Sequence, residues 1–281
     1  MEKDLAGRTY LVTGANTGIG KATAHGLAER GGRVVLANRS EEKTAPVIEE
    51  LAAATGNDAV EYLHLDLADL ASVKAAADAL VARGEHLDVL IDNAGVAGQR
   101  GLTAQGFELA FGINHLGHFL FTTELLNRLG DGAPGRVLMV SSESHYSAKG
   151  IDWEAVRRPT ASTTGLREYG VSKLCNVLFA QELARRFGDD GLEACSLHPG
   201  VIASDVWRRV PWPVRPVMTR FMRSTEEGAV TSLHCATTEQ LEGPNGSFYD
   251  KCRPKEPSKL ATPELGKELW ERSEEWVAPF R

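Results

Sequence analysis

Short apolar segments alternate with helix-forming segments along most of the chain, and this alternation constrains the fold more than any other feature. The apolar segments are residues 10–12, 33–37, 59–65, 87–91, 136–140 and 193–197. Strands that alternate with helices form a parallel sheet covered by helices on both faces. We therefore predict an α/β fold of the Rossmann type: a doubly wound parallel sheet in three layers, built as a single domain by residues 1–281.

A glycine-rich loop follows the first apolar segment, with the sequence Thr-Gly-Ala-Asn-Thr-Gly-Ile-Gly at residues 13–20. Apolar residues then recur at helical spacing, so the loop joins a strand to the start of a helix. Glycines permit a tight turn and let backbone N–H groups at a helix N-terminus approach a phosphate. The alternative is a glycine-rich turn without a ligand. We assign these loop residues to cofactor binding: Gly14, Asn16, Thr17, Gly18, Ile19 and Gly20.

The second predicted strand ends in Asn38-Arg39, where many dinucleotide-binding proteins carry an acidic residue. A carboxylate at that point accepts hydrogen bonds from the ribose hydroxyls of NAD, whereas an arginine fits the 2′-phosphate of NADP. The sequence therefore predicts NADP, with Lys21 as a possible second positive charge. The alternative is that Arg39 is a solvated surface residue.

Each further strand also ends in residues that could contact a ligand. Ligands of open α/β sheets bind outside the carboxyl ends of the strands, so these residues are expected to form one site. Asp66 could accept a hydrogen bond from the adenine amino group, although an aspartate at a turn is the commoner use. The additional cofactor-binding residues are Asp66, Leu67, Asn93, Ala94, Gly95, Pro199, Gly200 and Val201.

Tyr169 and Lys173 lie one helical turn apart in a segment predicted to be helical to about residue 187. Their side chains can meet, and a neighbouring ammonium lowers the pKa of a phenol toward neutrality, so the pair could transfer protons. An apolar stripe roughly opposite the pair predicts either a neighbouring helix or a second subunit there. Its residues are Val171, Leu174, Cys175, Leu178 and Phe179.

These motifs, in this order, resemble the short-chain dehydrogenase/reductase family over nearly the whole chain. The matching elements are the glycine loop, Asn93-Ala94-Gly95, Asn114, Ser142, the Tyr169/Lys173 pair and Pro199-Gly200. Segments 13–21, 114–119 and 252–254 are similar to the branch of retinol dehydrogenases and WW-domain oxidoreductases. That branch typically uses NADP, and the family commonly uses the helix that carries Tyr169 in dimers, so the resemblance implies NADP(H) and a homo-oligomer. Asp92 departs from the family, which usually has asparagine there.

The resemblance implies hydride transfer between nicotinamide and a carbonyl or alcohol, with Asn114, Ser142, Tyr169 and Lys173 as catalytic residues. Tyr169 would be the general acid or base, and Lys173 would hold its pKa down and bind the nicotinamide ribose, while both also contact the cofactor. Ser142 would bind the substrate oxygen, with Ser141 as the alternative. Asn114 would anchor a water that links Lys173 to solvent.

Residues 202–223 combine tryptophan, proline, methionine and arginine after the sixth strand, where the family has its substrate lid. An apolar lid containing Trp207 implies a bulky hydrophobic substrate, which Ser142 and Tyr169 would also contact. The alternatives are a surface subdomain and a weak membrane-surface patch.

Composition limits the other functions. The net charge of −7 disfavours nucleic-acid binding, and the apolar runs are too short to span a membrane. The scattered cysteines and histidines predict reduced thiols in the cytoplasm and no metal site. The rival functions are a catalytically silent NADP-binding regulator and a sugar-nucleotide epimerase. The epimerases normally have a different glycine spacing, and a regulator needs no proton donor.

Overall fold

The fold is an eight-stranded sheet with the order β3-β2-β1-β4-β5-β6-β7-β8. It is seen in a computed structural model that describes residues 3–84, 86–130, 135–200 and 224–281 of the 281-residue chain. β1 to β7 are parallel, and β8 pairs antiparallel with β7. The strands are Thr9–Thr13 (β1), Arg33–Asn38 (β2), Val60–His64 (β3), Val89–Asp92 (β4), Arg136–Val140 (β5), Glu193–His198 (β6), Phe248–Asp250 (β7) and Arg253–Lys255 (β8).

The central strands are continuously apolar because helices cover both faces of the sheet. Leu11, Val12, Leu90 and Ile91 have no exposed surface, although successive side chains point to opposite faces. The strand order reverses beside β1, whose neighbours are β2 on one side and β4 on the other. This switch point opens a crevice at the carboxyl ends of the strands. The predicted doubly wound α/β fold is confirmed.

The helices follow the predicted pattern, and side-chain caps account for several of their starts. Ser40 and Asp69 accept backbone N–H bonds at the starts of α2 and α3, and Ser224 forms a capping box with Glu227. The helices are Gly18–Glu29 (α1), Glu41–Thr55 (α2), Leu70–Ala82 (α3), Leu109–Phe111 (α4), His118–Leu125 (α5), Leu166–Phe187 (α6), Thr225–Thr237 (α7) and Pro263–Val277 (α8). A π-helical segment, Gly112–Gly117, joins α4 to α5.

The apolar stripe of α6 is covered by another part of the same chain. Trp270 on α8 packs against Phe179 and Phe187 of α6, with ring centroids 5.7 and 5.9 Å away. Phe119 contacts both Phe179 and Trp270, at 5.2 and 5.0 Å. A neighbouring helix of the same chain therefore accounts for the second buried face of α6. The apolar stripe no longer supports the predicted homo-oligomer, which stays a prediction.

None of the helices within the described ranges has both the length and the apolar character needed to cross a bilayer.

Candidate active site

The glycine loop packs directly on the end of β4. A Cβ atom at Gly14 (φ +67°) would lie 2.8 Å from Cα of Ala94, and one at Gly20 would lie 2.4 Å from Nδ2 of Asn93. Asn93 Nδ2 in turn donates a hydrogen bond to the Thr13 carbonyl, at 2.7 Å. Residues larger than glycine would push the loop away from β4, so the glycines at positions 14 and 20 are required by close packing.

The N-terminus of α1 lacks a side-chain cap, unlike those of α2, α3, α7 and α8. The side chain of Thr17 at its N-cap accepts no bond from the first turn, whereas the side chains of Ser40, Asp69, Ser224 and Thr262 cap those four helices. The first-turn N–H groups of α1 are therefore free to bind a phosphate, and the first turn carries no acidic residue to repel it. Gly18 begins this helix with φ +59°. These features fit the pyrophosphate of a dinucleotide.

A buried network that the sequence reasoning missed supports the same loop. The Thr13 hydroxyl accepts from the backbone N–H groups of Asn93 (3.0 Å) and Ala94 (2.9 Å) and lies 2.9 Å from Nε2 of His118. His118 Nδ1 lies 3.1 Å from the Asn114 carbonyl, which can only accept, so the proton is on Nδ1 and Thr13 donates to Nε2. Burial lowers the pKa of His118 to about 3, so the ring is neutral.

At the end of β2, Arg39 is exposed and has no ion pair or hydrogen-bond partner within the described part of the chain. Lys21 is occupied, because its ammonium lies 2.6 Å from the Glu50 carboxylate. Asn38 was not predicted as a site residue, yet its side chain is buried and both of its amide atoms lack partners among the described residues. An unpaired buried amide beside the crevice fits a ligand with hydroxyl or phosphate groups.

At the end of β3, the side chain of Asp66 stabilises a turn. Oδ1 of Asp66 accepts from the backbone N–H of Ala68 at 3.0 Å, which is a common role of aspartate at turns. Leu67 is buried, and a Cβ atom on Gly117 would lie 2.7 Å from the Leu67 carbonyl. Gly117 thus lets the π-helical segment pack closely against this turn.

Lys173 is buried directly below Tyr169 on α6. Its ammonium donates to the Val140 carbonyl at 2.7 Å and lies 5.6 Å from the centre of the Tyr169 ring. Among the described residues the side chain has no carboxylate partner, and burial lowers its pKa to about 7. Both protonation states of Lys173 are therefore populated near neutral pH.

The pKa of Tyr169 is shifted in the direction opposite to the expected one. Burial raises the pKa of the phenol, and a hydrogen bond with Ser142 opposes this shift. The spacing of the pair predicts a lowered pKa, but Lys173 points to the Val140 carbonyl and is itself partly deprotonated. Tyr169 is therefore a protonated phenol at neutral pH in this structure.

The two serines at the end of β5 have different surroundings. Ser141 is buried and donates to the Lys173 carbonyl at 2.7 Å, which fixes α6 against the sheet. Ser142 is half-buried, and its hydroxyl donates to the Ser144 hydroxyl at 3.2 Å and accepts from the Ser144 N–H at 3.1 Å. The Ser141 hydroxyl is thus occupied by α6, whereas that of Ser142 is close enough to Tyr169 to lower the pKa of its phenol.

Asn114 lies in the π-helical segment, and both polar atoms of its side-chain amide form hydrogen bonds to residues outside that segment. Its Oδ1 accepts from the Val96 N–H at 2.8 Å, and its Nδ2 donates to the Ser172 hydroxyl at 2.9 Å. A Cβ atom on Gly95 would lie 3.2 Å from this Oδ1 and 3.4 Å from Nζ of Lys173. Asn114 and Lys173 therefore border the same small space above Gly95.

Pro199 and Gly200 follow β6 and line a cavity of about 430 Å³. Gly200 has φ +96°, a conformation that favours glycine. Val201, Trp207 and the predicted lid at 202–223 lie outside the described residues.

The structure has the features of a Rossmann-type dehydrogenase. These features are the strand order, the helix without a side-chain cap after the glycine loop, and the grouping of Ser142, Tyr169 and Lys173. The chain belongs to the short-chain dehydrogenase family, whose sequence profile matches residues 8–212. The predicted similarity to retinol dehydrogenases is confirmed. Human retinol dehydrogenase 11 is 43% identical over 274 residues, which cover 96% of this chain and 85% of that protein. Bovine dehydrogenase/reductase SDR family member 13 is 41% identical, covering 96% of this chain and 73% of that protein.

Solved structures agree on the fold. An uncharacterised protein from Mycobacterium paratuberculosis is 33% identical with a TM-score of 0.77, covering 99% of this chain and 97% of its own. An NADP complex of Pseudomonas aeruginosa RhlG is 24% identical, with a TM-score of 0.69, 92% of this chain covered and 98% of its own. Complexes with NADH occur among such structures too, as in a 3-ketoacyl-(acyl-carrier-protein) reductase from Brucella melitensis (22% identity, TM-score 0.67, 92% of this chain and 100% of its own covered).

Proposed function

We propose that this protein is an NADP(H)-dependent oxidoreductase that interconverts a carbonyl group and an alcohol on a bulky hydrophobic substrate. The observation that carries the proposal is the meeting of Ser142, Tyr169 and Lys173 at the crevice beside the uncapped N-terminus of α1. Membership of an oxidoreductase family supports the reaction class. When bound, NADPH would supply the hydride, and the protein would supply orientation and the proton.

Tyr169 would act as the general acid in reduction and the general base in oxidation. Burial raises its pKa, so the phenol carries the proton that a developing alkoxide needs. The Ser142 hydroxyl, held by the Ser144 N–H, would donate to the substrate oxygen and polarise the carbonyl. Both hydroxyls would then contact one substrate oxygen from the same side.

Lys173 would stabilise the phenolate that remains after Tyr169 gives up its proton. With its pKa near 7 it could also receive or return a proton, while Asn114 borders the same space above Gly95. We assign the glycine loop, the turns after β3 and β4 and residues 199–201 to cofactor binding. The water anchored by Asn114, the homo-oligomer and the cytoplasmic location stay predictions.

The NADP preference rests on Arg39, and Arg39→Ala should weaken NADPH binding about 10- to 100-fold while changing NADH binding little. The lost interaction is a charge-assisted hydrogen bond to the 2′-phosphate, which is typically worth about 1.5–3 kcal/mol. Titration of both cofactors by calorimetry or protein fluorescence measures the two dissociation constants. Lys21→Met is the matched control, because Lys21 is paired with Glu50 and should contribute less. An equal loss for both cofactors would exclude a 2′-phosphate contact.

The substrate class rests on the predicted lid and on the relatives named retinol dehydrogenases. We expect NADPH oxidation with hydrophobic aldehydes, ketones or quinones, retinaldehyde included, and much slower oxidation of NADH. Replacing Trp207 by alanine should raise KM for bulky carbonyls and leave KM for small ones unchanged. Turnover confined to small hydrophilic carbonyls would contradict the assigned substrate class.

A further inference from the structure

His145 connects the candidate catalytic Ser142 to the C-terminal part of the chain. Its Nδ1 lies 2.6 Å from the Ser142 carbonyl oxygen, and its Nε2 lies 3.1 Å from the backbone nitrogen of Ser258. A carbonyl only accepts and a backbone N–H only donates, so these two partners assign the proton to Nδ1 and the lone pair to Nε2. His145 is a neutral ring in one fixed tautomer.

The ring of His145 is also fixed by packing. It has no exposed surface, and its centroid lies 3.9 Å from that of Tyr146 and 4.7 Å from that of Phe248. Burial lowers its pKa, which keeps the neutral form in place. An imidazolium would put a second N–H against the Ser258 N–H, so the site disfavours protonation on geometry as well.

Ser142 is the N-cap of the 3₁₀ turn Glu143–Ser147, and two side chains of this turn bond to it: the Ser144 hydroxyl to the Ser142 hydroxyl, and His145 to the Ser142 carbonyl. Two other side-chain links tie the turn to the same C-terminal segment: Lys255 to Glu143 at 3.0 Å and the Tyr146 hydroxyl to the Glu256 carbonyl. Of these three links, that of His145 reaches Ser142 itself. A Cβ on Gly170, next to Tyr169, would lie 3.0 Å from the Ser144 carbonyl, so α6 packs on the same turn.

We infer that His145 is a positioning residue: its Nδ1–H, beside its own backbone N–H, holds the Ser142 carbonyl, and this fixes the peptide that carries the Ser142 hydroxyl. The Ser258 N–H selects the tautomer that makes this bond possible. The inference rests on the proposed function, because it assigns a role toward the hydroxyl that would polarise the substrate. His145 is not assigned a catalytic role, because it contacts the backbone of Ser142 and not the hydroxyl.

Two substitutions of His145 test the roles of its two ring nitrogens separately. His145→Asn keeps an N–H close to the position of Nδ1, whereas His145→Gln keeps an acceptor close to the position of Nε2 and loses the donor to Ser142. We expect His145→Asn to retain most of kcat for NADPH-dependent carbonyl reduction, and His145→Gln to lose up to about 10²-fold, the size of effect produced by small misplacements of reacting groups. KM for NADPH should stay unchanged in both. Tyr146→Phe, which removes an outer link, should keep wild-type kcat.

Equal kcat values for His145→Asn and His145→Gln would overturn the inference. ¹⁵N NMR of the ring in the unmodified protein provides a test that needs neither turnover nor a folded variant: we expect a proton on Nδ1 and none on Nε2 at neutral pH. A proton on Nε2 would overturn the inference even if both variants unfold. If the wild-type protein reduced no carbonyl, the proposed function would fail, while the NMR result would still decide whether His145 donates to Ser142.

Discussion

Replacing Tyr169 by phenylalanine is expected to lower kcat for carbonyl reduction by about 10²–10⁴-fold, the range associated with loss of a general acid. The substitution removes one hydroxyl and keeps the ring that packs beside Lys173. NADPH binding should therefore stay close to the wild-type value, and so should the melting temperature. Single-turnover mixing of enzyme, NADPH and substrate separates the chemical step from product release.

Two other substitutions test whether the loss of kcat in Tyr169→Phe is specific to the proposed proton transfer. Tyr62→Phe removes a phenol that bonds to the Asn38 carbonyl, far along the sheet from Ser142, and should leave the chemical step unchanged. Ser142→Ala should slow the same step as Tyr169→Phe, because both hydroxyls are assigned to one substrate oxygen. Near-normal turnover of Tyr169→Phe with intact NADPH binding would exclude Tyr169 as the proton donor.

Replacing Asp92 by asparagine is expected to stabilise the protein at alkaline pH. Asp92 has no exposed surface, its Oδ2 accepts from the Thr122 hydroxyl at 2.7 Å, and its Oδ1 lacks a hydrogen-bond partner among the described residues. His118 lies 3.8 Å from Oδ1, but the pair is not ionic at neutral pH. Burial raises the pKa of Asp92 to about 8 and lowers that of His118 to about 3, so both groups are mainly neutral there.

The direction of the pH dependence follows from the raised pKa of Asp92. Its ordinary value is 3.8 and its folded value about 8, so between these pH values the folded state holds a proton that the unfolded state has released. The free energy of unfolding therefore falls as pH rises through this window. A shift of this size corresponds to at most about 6 kcal/mol, and the full difference is reached above the folded pKa.

Asp92→Asn keeps the shape of the side chain and does not titrate, so its stability should fall less between pH 5 and 8.5 than that of the wild type. Urea unfolding at several pH values measures both curves. Subtracting them removes the contribution of Lys173, whose lowered pKa makes stability rise with pH above about 7. Parallel curves would show that Asp92 is ionised in the folded protein at neutral pH.

The strands and the glycine loop were predictable because their signals are local. Residues 136–140 are apolar throughout and form β5, and Glu41–Thr55 became α2 with a serine before it and a glycine after it. The strand β8, at Arg253–Lys255, was not predicted, since three exposed residues with a proline carry no strand pattern. Among the described strands it pairs with β7 alone, and this pairing depends on the tertiary fold.

The details of the site depend on contacts between distant residues. Helical periodicity identified the apolar stripe on α6, but it could not reveal that Trp270, almost a hundred positions after Phe179, covers it. The spacing of Tyr169 and Lys173 indicated a proton-transfer pair, yet the partner of Lys173 is the Val140 carbonyl and burial raises the pKa of Tyr169. His118 and His145 carried no spacing signal, although His118 contacts the Thr13 hydroxyl and the Asn114 carbonyl and His145 contacts the Ser142 carbonyl.

The most direct test of the proposed function is the transfer of deuterium from labelled NADPH to a hydrophobic aldehyde. Two samples of NADPH, each labelled at one face of the nicotinamide C4, are incubated with the enzyme and the aldehyde, and the alcohol is analysed by mass spectrometry. We predict one deuterium in the alcohol from one of the two samples and none from the other, with no product from Tyr169→Phe on the same timescale. Unlabelled alcohol from both samples, or no alcohol from any aldehyde or ketone in the screen, would contradict direct hydride transfer at this site.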